Sequence, residues 1–406
     1  MPARPAQLPP FLVCLAALAP AMAQSAPPRD RVVLVDGKEL RGRVVHEDAD
    51  EVLLRVGTTD KAIARKLVRE VHAVANHHRE LLQQWRDRSP EDPAAMLRLA
   101  QSADEQGLPH EARLFRWYAL LQRPDDVELH QALGNRRAGK QWLVALGDKR
   151  VPFDRADAMG VDFAAAWRLR SEHFDLRCAA GLRTTLDTLL ELEGQYHAFH
   201  AAYGEAVRLL ELCEPIPVHV YRDRAQMPQQ SGAIGAYYRP DEATLFTCCE
   251  NGRAYALAHE ATHALLHHTF GRALRAKGEL PAWLDEAWAE HFAGRLQTRV
   301  PGKPVLLDRS VQPAHRTTLA QIAADELLTV QRVLNLQQGD FQASTGQASK
   351  YAQAWALFTF LCEHDDAAIR ATFVDYLRQA AAGKGQSSTF RKLFAPHERL
   401  LPDAWR

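Results

Sequence analysis

The chain predicts an α+β protein, and three observations predict it. Strand patterns occupy positions 173 to 249, a helix carrying two histidines follows, and helical patterns alone run on from there. Strands first and helices afterwards is the α+β order. Upstream, β-patterned runs over 31–75 read as a separate all-β module, and over 76–150 the apolar period switches to 3.6. With 406 residues, 47% of them hydrophobic, the chain can bury the cores of two or three domains.

Each element has its own signal. At the N-terminus, Arg4 precedes the apolar run Phe11–Ala19, and Ala21-Met22-Ala23 supplies small residues at a cleavage position. Residues 1–23 are therefore expected to be a secretory signal peptide, giving a secreted or periplasmic protein. The run is too short to span a membrane, and nothing later reaches transmembrane length. In the 31–75 module, Asp36-Gly37 sits between apolar runs 31–35 and 40–45, a hairpin signal. Further strands are expected at 51–56 and 68–74, together a small SH3-like barrel or sheet. Segment 76–150 offers helices at 94–100 and 111–121, broken by Gly107-Leu108-Pro109, with a third after Pro124. This resembles one or two tetratricopeptide-like hairpins; an ordinary helical linker domain is the alternative.

From about 155 a mixed domain is expected to run to 406. Strands are read at 173–177, 216–221, 232–238 and 243–249, and a long amphipathic helix at 182–211. A fragment beginning near Asp154 should then fold alone.

Composition excludes some functions. Basic and acidic side chains number 50 each. A net charge of zero leaves no electrostatic case for nucleic acid or an anionic membrane as partner. Five cysteines follow Cys14, at 178, 213, 248, 249 and 362. An odd, widely spaced set is not a disulfide framework, and without a Cys-x-x-Cys pair a thiolate zinc site is not expected.

The chemistry lies in His259-Glu260-Ala261-Thr262-His263 and in Glu286, 23 positions after the second histidine. Histidines at i and i+4 share one helix face, so both imidazoles can reach one ion. A glutamate from a second helix, opening after Pro281, completes a three-ligand Zn2+ site with one open position. His259, His263 and Glu286 are thus the expected ligands. Glu260, next to the first histidine, is the expected general base for a water at the open position. The alternative is a structural helix whose histidines are satisfied in the core. A metzincin site would need glycine at 266 and histidine at 269, where the chain has Leu266 and Thr269. His267 and His268 are read as surface or supporting histidines.

The His-Glu-x-x-His helix followed by Trp283-Leu284-Asp285-Glu286-Ala287 resembles the gluzincin metallopeptidases of the thermolysin and aminopeptidase N type. Their second motif is Trp-Leu-x-Glu-Gly. More narrowly, region 155–400 looks like the peptidase MA-like domains of bacterial secreted proteins, which carry Trp-Leu-x-Glu-Gly-x-Ala-Glu; Ala287 is the departure. The resemblance covers somewhat over half of the chain. It implies zinc-dependent hydrolysis of a peptide or protein substrate. By the same resemblance Glu290 would hold a ligand histidine through its other ring nitrogen. Tyr351, where aminopeptidase N-like enzymes start a helix with Tyr-x-Lys-Gly, would steady the oxyanion; the Lys-Gly pair is absent here. Strand 243–249 is read either as an edge strand pairing with an extended substrate or as a core strand. No Gly-x-Met-Glu-Asn motif appears, so an aminopeptidase is not indicated. The competing reading is a non-catalytic, zinc-containing scaffold of the cell envelope. The sequence sets neither the substrate nor the oligomeric state.

Overall fold

A computed structural model describes residues 30–228, 235–249, 253–270, 279–343 and 345–405. The expected signal peptide and its cleavage site lie outside the described residues. So do positions 232–234, the start of one expected strand.

Five antiparallel strands form the first module: β1 (Asp30–Leu34), β2 (Glu39–Glu47), β3 (Glu51–Val56), β4 (Thr59–Ala64) and β5 (Val68–His72). Their order is β4-β3-β2-β1-β5. Gly37, at φ +86°, makes the turn that Asp36-Gly37 signals. The module has its own small core of Val32, Val44, Val52, Leu54 and Ile63.

Four helices follow: α1 (Val74–Arg86), α2 (Pro93–Glu105), α3 (Pro109–Gln122) and α4 (Val127–Ala132). Asp92 caps α2 by accepting from the Ala94 and Ala95 N–H groups at 2.9 and 3.0 Å, and Pro93 fills its first turn. The helical reading of 76–150 fails beyond 135. Strands β6 (Arg136–Ala138), β7 (Gln141–Leu146) and β8 (Lys149–Pro152) form a three-stranded sheet there. Gly139 and Gly147, at φ +60° and +57°, begin its two tight turns, a hairpin signal that the helical pattern upstream obscured.

The short helix α5 (Phe153–Met159) leads into the main sheet. Its strands are β9 (Trp167–Arg170), β10 (Phe174–Cys178), β11 (Ile216–Tyr221), β12 (Ala236–Arg239) and β13 (Thr244–Cys248), with α6 (Leu182–Val207) between β10 and β11. The order is β12-β13-β11-β10-β9; β10, β11 and β13 run parallel, and both outer strands are antiparallel to their neighbours. The strand expected at 243–249 therefore lies inside the sheet, and β12 is the edge. Helix α6 stops short of 211 because Arg208 turns left-handed, φ 56°.

After the sheet come α7 (Arg253–Thr269), α8 (Ala282–Arg295), the hairpin β14 (Leu296–Val300) and β15 (Lys303–Leu306), and helices α9 (Pro313–Gln321), α10 (Val330–Val333), α11 (Gln338–Gln342), α12 (Gln347–Glu363), α13 (Ala367–Ala381) and α14 (Ser387–Phe394). The class is α+β, as expected. No helix among the described residues is long and apolar enough to cross a membrane. Cys178, Cys213, Cys248, Cys249 and Cys362 are unbridged.

The boundary expected near 155 does not divide the core. One apolar cluster runs from Val74 to Ala404 and includes Trp85, Phe115 and Tyr118 together with Leu186, Trp283 and Phe358. Polar contacts cross the same seam. Trp85 Nε1 donates to Gly302 O at 3.2 Å, and the Tyr118 hydroxyl donates to Asp187 at 2.7 Å. The β-module docks on the segments just before β10 and just after α6: Arg43 pairs with buried Glu172 at 3.0 Å and donates to Leu212 O at 2.7 Å.

Candidate metal centre

Helix α7 is alanine- and leucine-rich without proline, which favours a continuous helix. Leu257, Ala261, Ala264 and Leu265 face the core. His259 and His263, one turn apart, point toward α8, where Trp283, Leu284, Ala287 and Trp288 are fully buried. Two well-packed helices thus hold His259, His263 and Glu286 against each other.

The expected ligands converge. His259 Nε2 lies 3.1 Å from His263 Nε2, and Glu286 Oε2 lies 3.4 Å from the first and 3.6 Å from the second. Zinc–nitrogen bonds of 2.0–2.1 Å give a tetrahedron whose edges are about 3.3 Å. The triangle of donor atoms is therefore already close to one face of a zinc site. Glu286 Oε2 is buried with no hydrogen-bond partner, and an orphaned carboxylate oxygen between two imidazoles calls for a cation.

Charges around the histidines point the same way. Glu290 Oε1 lies 3.2 Å from His259 Nδ1, and Asp285 Oδ1 lies 3.1 Å from His263 Nδ1. Each imidazole thus turns one nitrogen to the shared point and the other to a carboxylate, the usual support of a metal-bound histidine. Burial disfavours protonation of His259, but Glu290 and Glu286 override it and push its pKa up to about 10. Burial opposes His263 likewise, and Asp285 and Glu286 hold it well above the usual range. The carboxylates favour positive charge here, as a proton or as a metal ion.

Glu290 also touches residues other than His259. It accepts from Tyr255 and, at 2.7 Å, pairs with His315. Gln312 Nε2 donates to the Glu290 carbonyl at 3.0 Å. Gln338 Nε2 donates to Glu286 Oε1 at 2.8 Å, which leaves Oε2 facing the two imidazoles. Asp285, Tyr255, Gln312, His315 and Gln338 escaped sequence reading. Asp285 alone had a legible signal, standing beside Glu286 in the second motif.

Glu260 lies beside the ligands. Burial raises its carboxyl pKa, and nearby His263 and His259 oppose the rise. Its Oε2 accepts from the backbone N–H of Tyr238, on edge strand β12, at 2.8 Å. Tyr351 flanks the centre from α12, its ring 6.3 Å from that of His259. Burial and the charge of Glu286 keep its hydroxyl protonated. His267 Nδ1 and His268 Nε2 contact the Tyr238 hydroxyl at 2.7 and 3.1 Å, on the far side of that tyrosine from its bond to Glu260.

The fold and side chains define a mixed α+β protein with a His–His–Glu cluster able to hold a metal ion. Residues 253–385 are similar to a family described as "Protein of unknown function (DUF1570)". That stretch contains all three cluster residues, Glu260 and Tyr351. No curated protein matches the chain.

Proposed function

We propose that this protein is a secreted or periplasmic gluzincin-like zinc metallopeptidase acting on peptide or protein substrates. The observation that carries the reading is the spacing of the His259, His263 and Glu286 donor atoms, 3.1–3.6 Å apart with Glu286 Oε2 otherwise unpartnered. A zinc ion held there would act as a Lewis acid and acidify a water at its open position. Glu260 takes the proton of the attacking water on Oε1, because Oε2 is held by Tyr238 N–H. It then passes that proton to the leaving amine. The Tyr351 hydroxyl, kept protonated, donates to the developing oxyanion. Edge strand β12, not the inner strand β13, is the strand to which an extended substrate would add.

The test is Glu260→Gln in the full chain. The variant should keep wild-type metal content and melting temperature while hydrolysis of unfolded protein falls at least ~10²-fold. A Glu260→Gln protein as active as wild type would sink the mechanism. A metal-loaded wild type that cleaves nothing would favour the scaffold reading.

A further inference from the structure

A second group of metal-ligating side chains lies apart from this centre, at the seam between the helical segment and the main sheet. His78 comes from α1, His173 from the residue before β10, and Glu193 and His197 from successive turns of α6. Each offers one ligand atom, and the four atoms lie within 4.8 Å of one another. His78, His173 and Glu193 are 0% exposed. His78 Nδ1 lies 2.7 Å from His197 Nε2, and His173 Nδ1 lies 2.7 Å from Glu193 Oε2. His78 Nε2 is 3.8 Å from the same oxygen. The proposed hydrolysis uses none of these residues.

Two observations set the group apart from an ordinary buried hydrogen-bond network. The first is charge. Glu111 and Glu193 are both fully buried, and their ion pairs are with histidines. Buried carboxylates need compensating positive charge. Offsetting both with protons takes two imidazoliums, His78 and His173, with ring centroids 5.2 Å apart, whereas one divalent cation offsets both. The second is convergence. Two pairs of ligand atoms, His78 Nδ1 with His197 Nε2 and His173 Nδ1 with Glu193 Oε2, close to 2.7 Å each from three separate elements, and all four atoms fall within 4.8 Å of one another. His78 also has the support typical of a ligand. Its Nε2 meets Glu111 Oε1 at 3.0 Å, and that oxygen is fixed by the Glu172 N–H at 2.7 Å.

We propose that His78, His173, Glu193 and His197 form a second, closed site for a divalent cation of the zinc class, stapling α1 to β10 and α6. Three imidazoles and a carboxylate fill a tetrahedral ion and leave no open position, so the site is structural. Loading requires the two 2.7 Å pairs to open toward the roughly 3.3 Å edge of a zinc tetrahedron.

The experiment counts metal in the full chain after stripping, reloading with zinc and gel filtration. The His259→Ala/His263→Ala variant removes the first centre. It should still hold one zinc, against two in wild type, and adding His197→Gln, at the half-buried member, should remove the last. In the double variant cobalt(II) should give the visible bands of a four-coordinate ion. A folded double variant that binds no zinc and shows no such bands overturns the proposal. So does one whose zinc and cobalt bands survive His197→Gln. If the triple variant does not fold, the cobalt spectrum of the double variant decides. The two centres fail separately: one zinc in wild type and none in the double variant refutes the second alone, and one zinc in both refutes the first alone.

Discussion

The two nitrogens of each proposed ligand histidine do different work. Nε2 faces the shared point, while Nδ1 faces Glu290 in one ring and Asp285 in the other. Carboxylates so placed orient a metal-bound imidazole and raise its basicity. Asp285→Asn and Glu290→Gln should each weaken zinc binding about 10–100-fold, read by competition with a chromophoric chelator. Glu290→Gln should be the more severe, since Tyr255 and His315 also lose their acceptor. An unchanged affinity in both would mean that the histidines need no such support. Asp48 shows the same economy in the β-module. Burial would raise its pKa, but the N–H groups of Glu51 and Asp50 and the His46 ring outweigh this and bring it to about 2. Its folded pKa lies below its unfolded value, so its contribution to stability is present above about pH 4 and is lost as pH falls toward 2. The loss of melting temperature between pH 5 and pH 2.5 should be smaller in Asp48→Asn than in wild type. An equal loss in the two proteins would contradict the assignment.

At the scale of elements, α8 organises the centre. Its buried face fixes Glu286 and Glu290 one turn apart, and the chain after β15 crosses it at Gly294. A Cβ at Gly294 would overlap Ser310 and come within 2.9 Å of Gln312 Cγ. That close crossing lets Gln312 reach Glu290. Gly294→Ala should lower stability by about 1–3 kcal/mol, as overpacking does, and should weaken metal binding with it. Thermal melts and zinc titration check both. A variant as stable and as tight-binding as wild type would mean that the crossing segment yields without cost. The edge position of β12 also belongs to this scale. Pattern alone shows that 243–249 is extended, but pairing on both sides of β13 is a property of the sheet.

At the scale of the molecule, the β-module and the helices differ in how they join the rest. The module closes its own core of seven buried residues. Helices α1–α3 bury Trp85, Phe115, Trp117 and Tyr118 in the core that α6 and α8 share. A fragment starting near 155 would expose that surface and lose His78 and Glu111. It should be insoluble or molten, whereas one starting at Val74 should fold and bind zinc. Circular dichroism and melting of the two fragments decide this. A 155–406 fragment melting at the full-chain temperature would mean that the shared core is dispensable.

The local signals in the sequence were strong enough to determine the α+β order, the β-module with its Asp36-Gly37 turn, the helix carrying His259 and His263, and His259, Glu260, His263 and Glu286 as a group. Each depends on spacing within one or two neighbouring segments, where helix and strand periods are stiff. Tertiary structure decided what depends on segments far apart in the chain. It set the continuity of the core across 155 and the inner position of β13. It brought Asp285, Gln312, His315 and Gln338 around the ligands, and His78 beside Glu193. Such contacts leave no periodic trace, because a packed interior brings together residues that no helical or strand period relates.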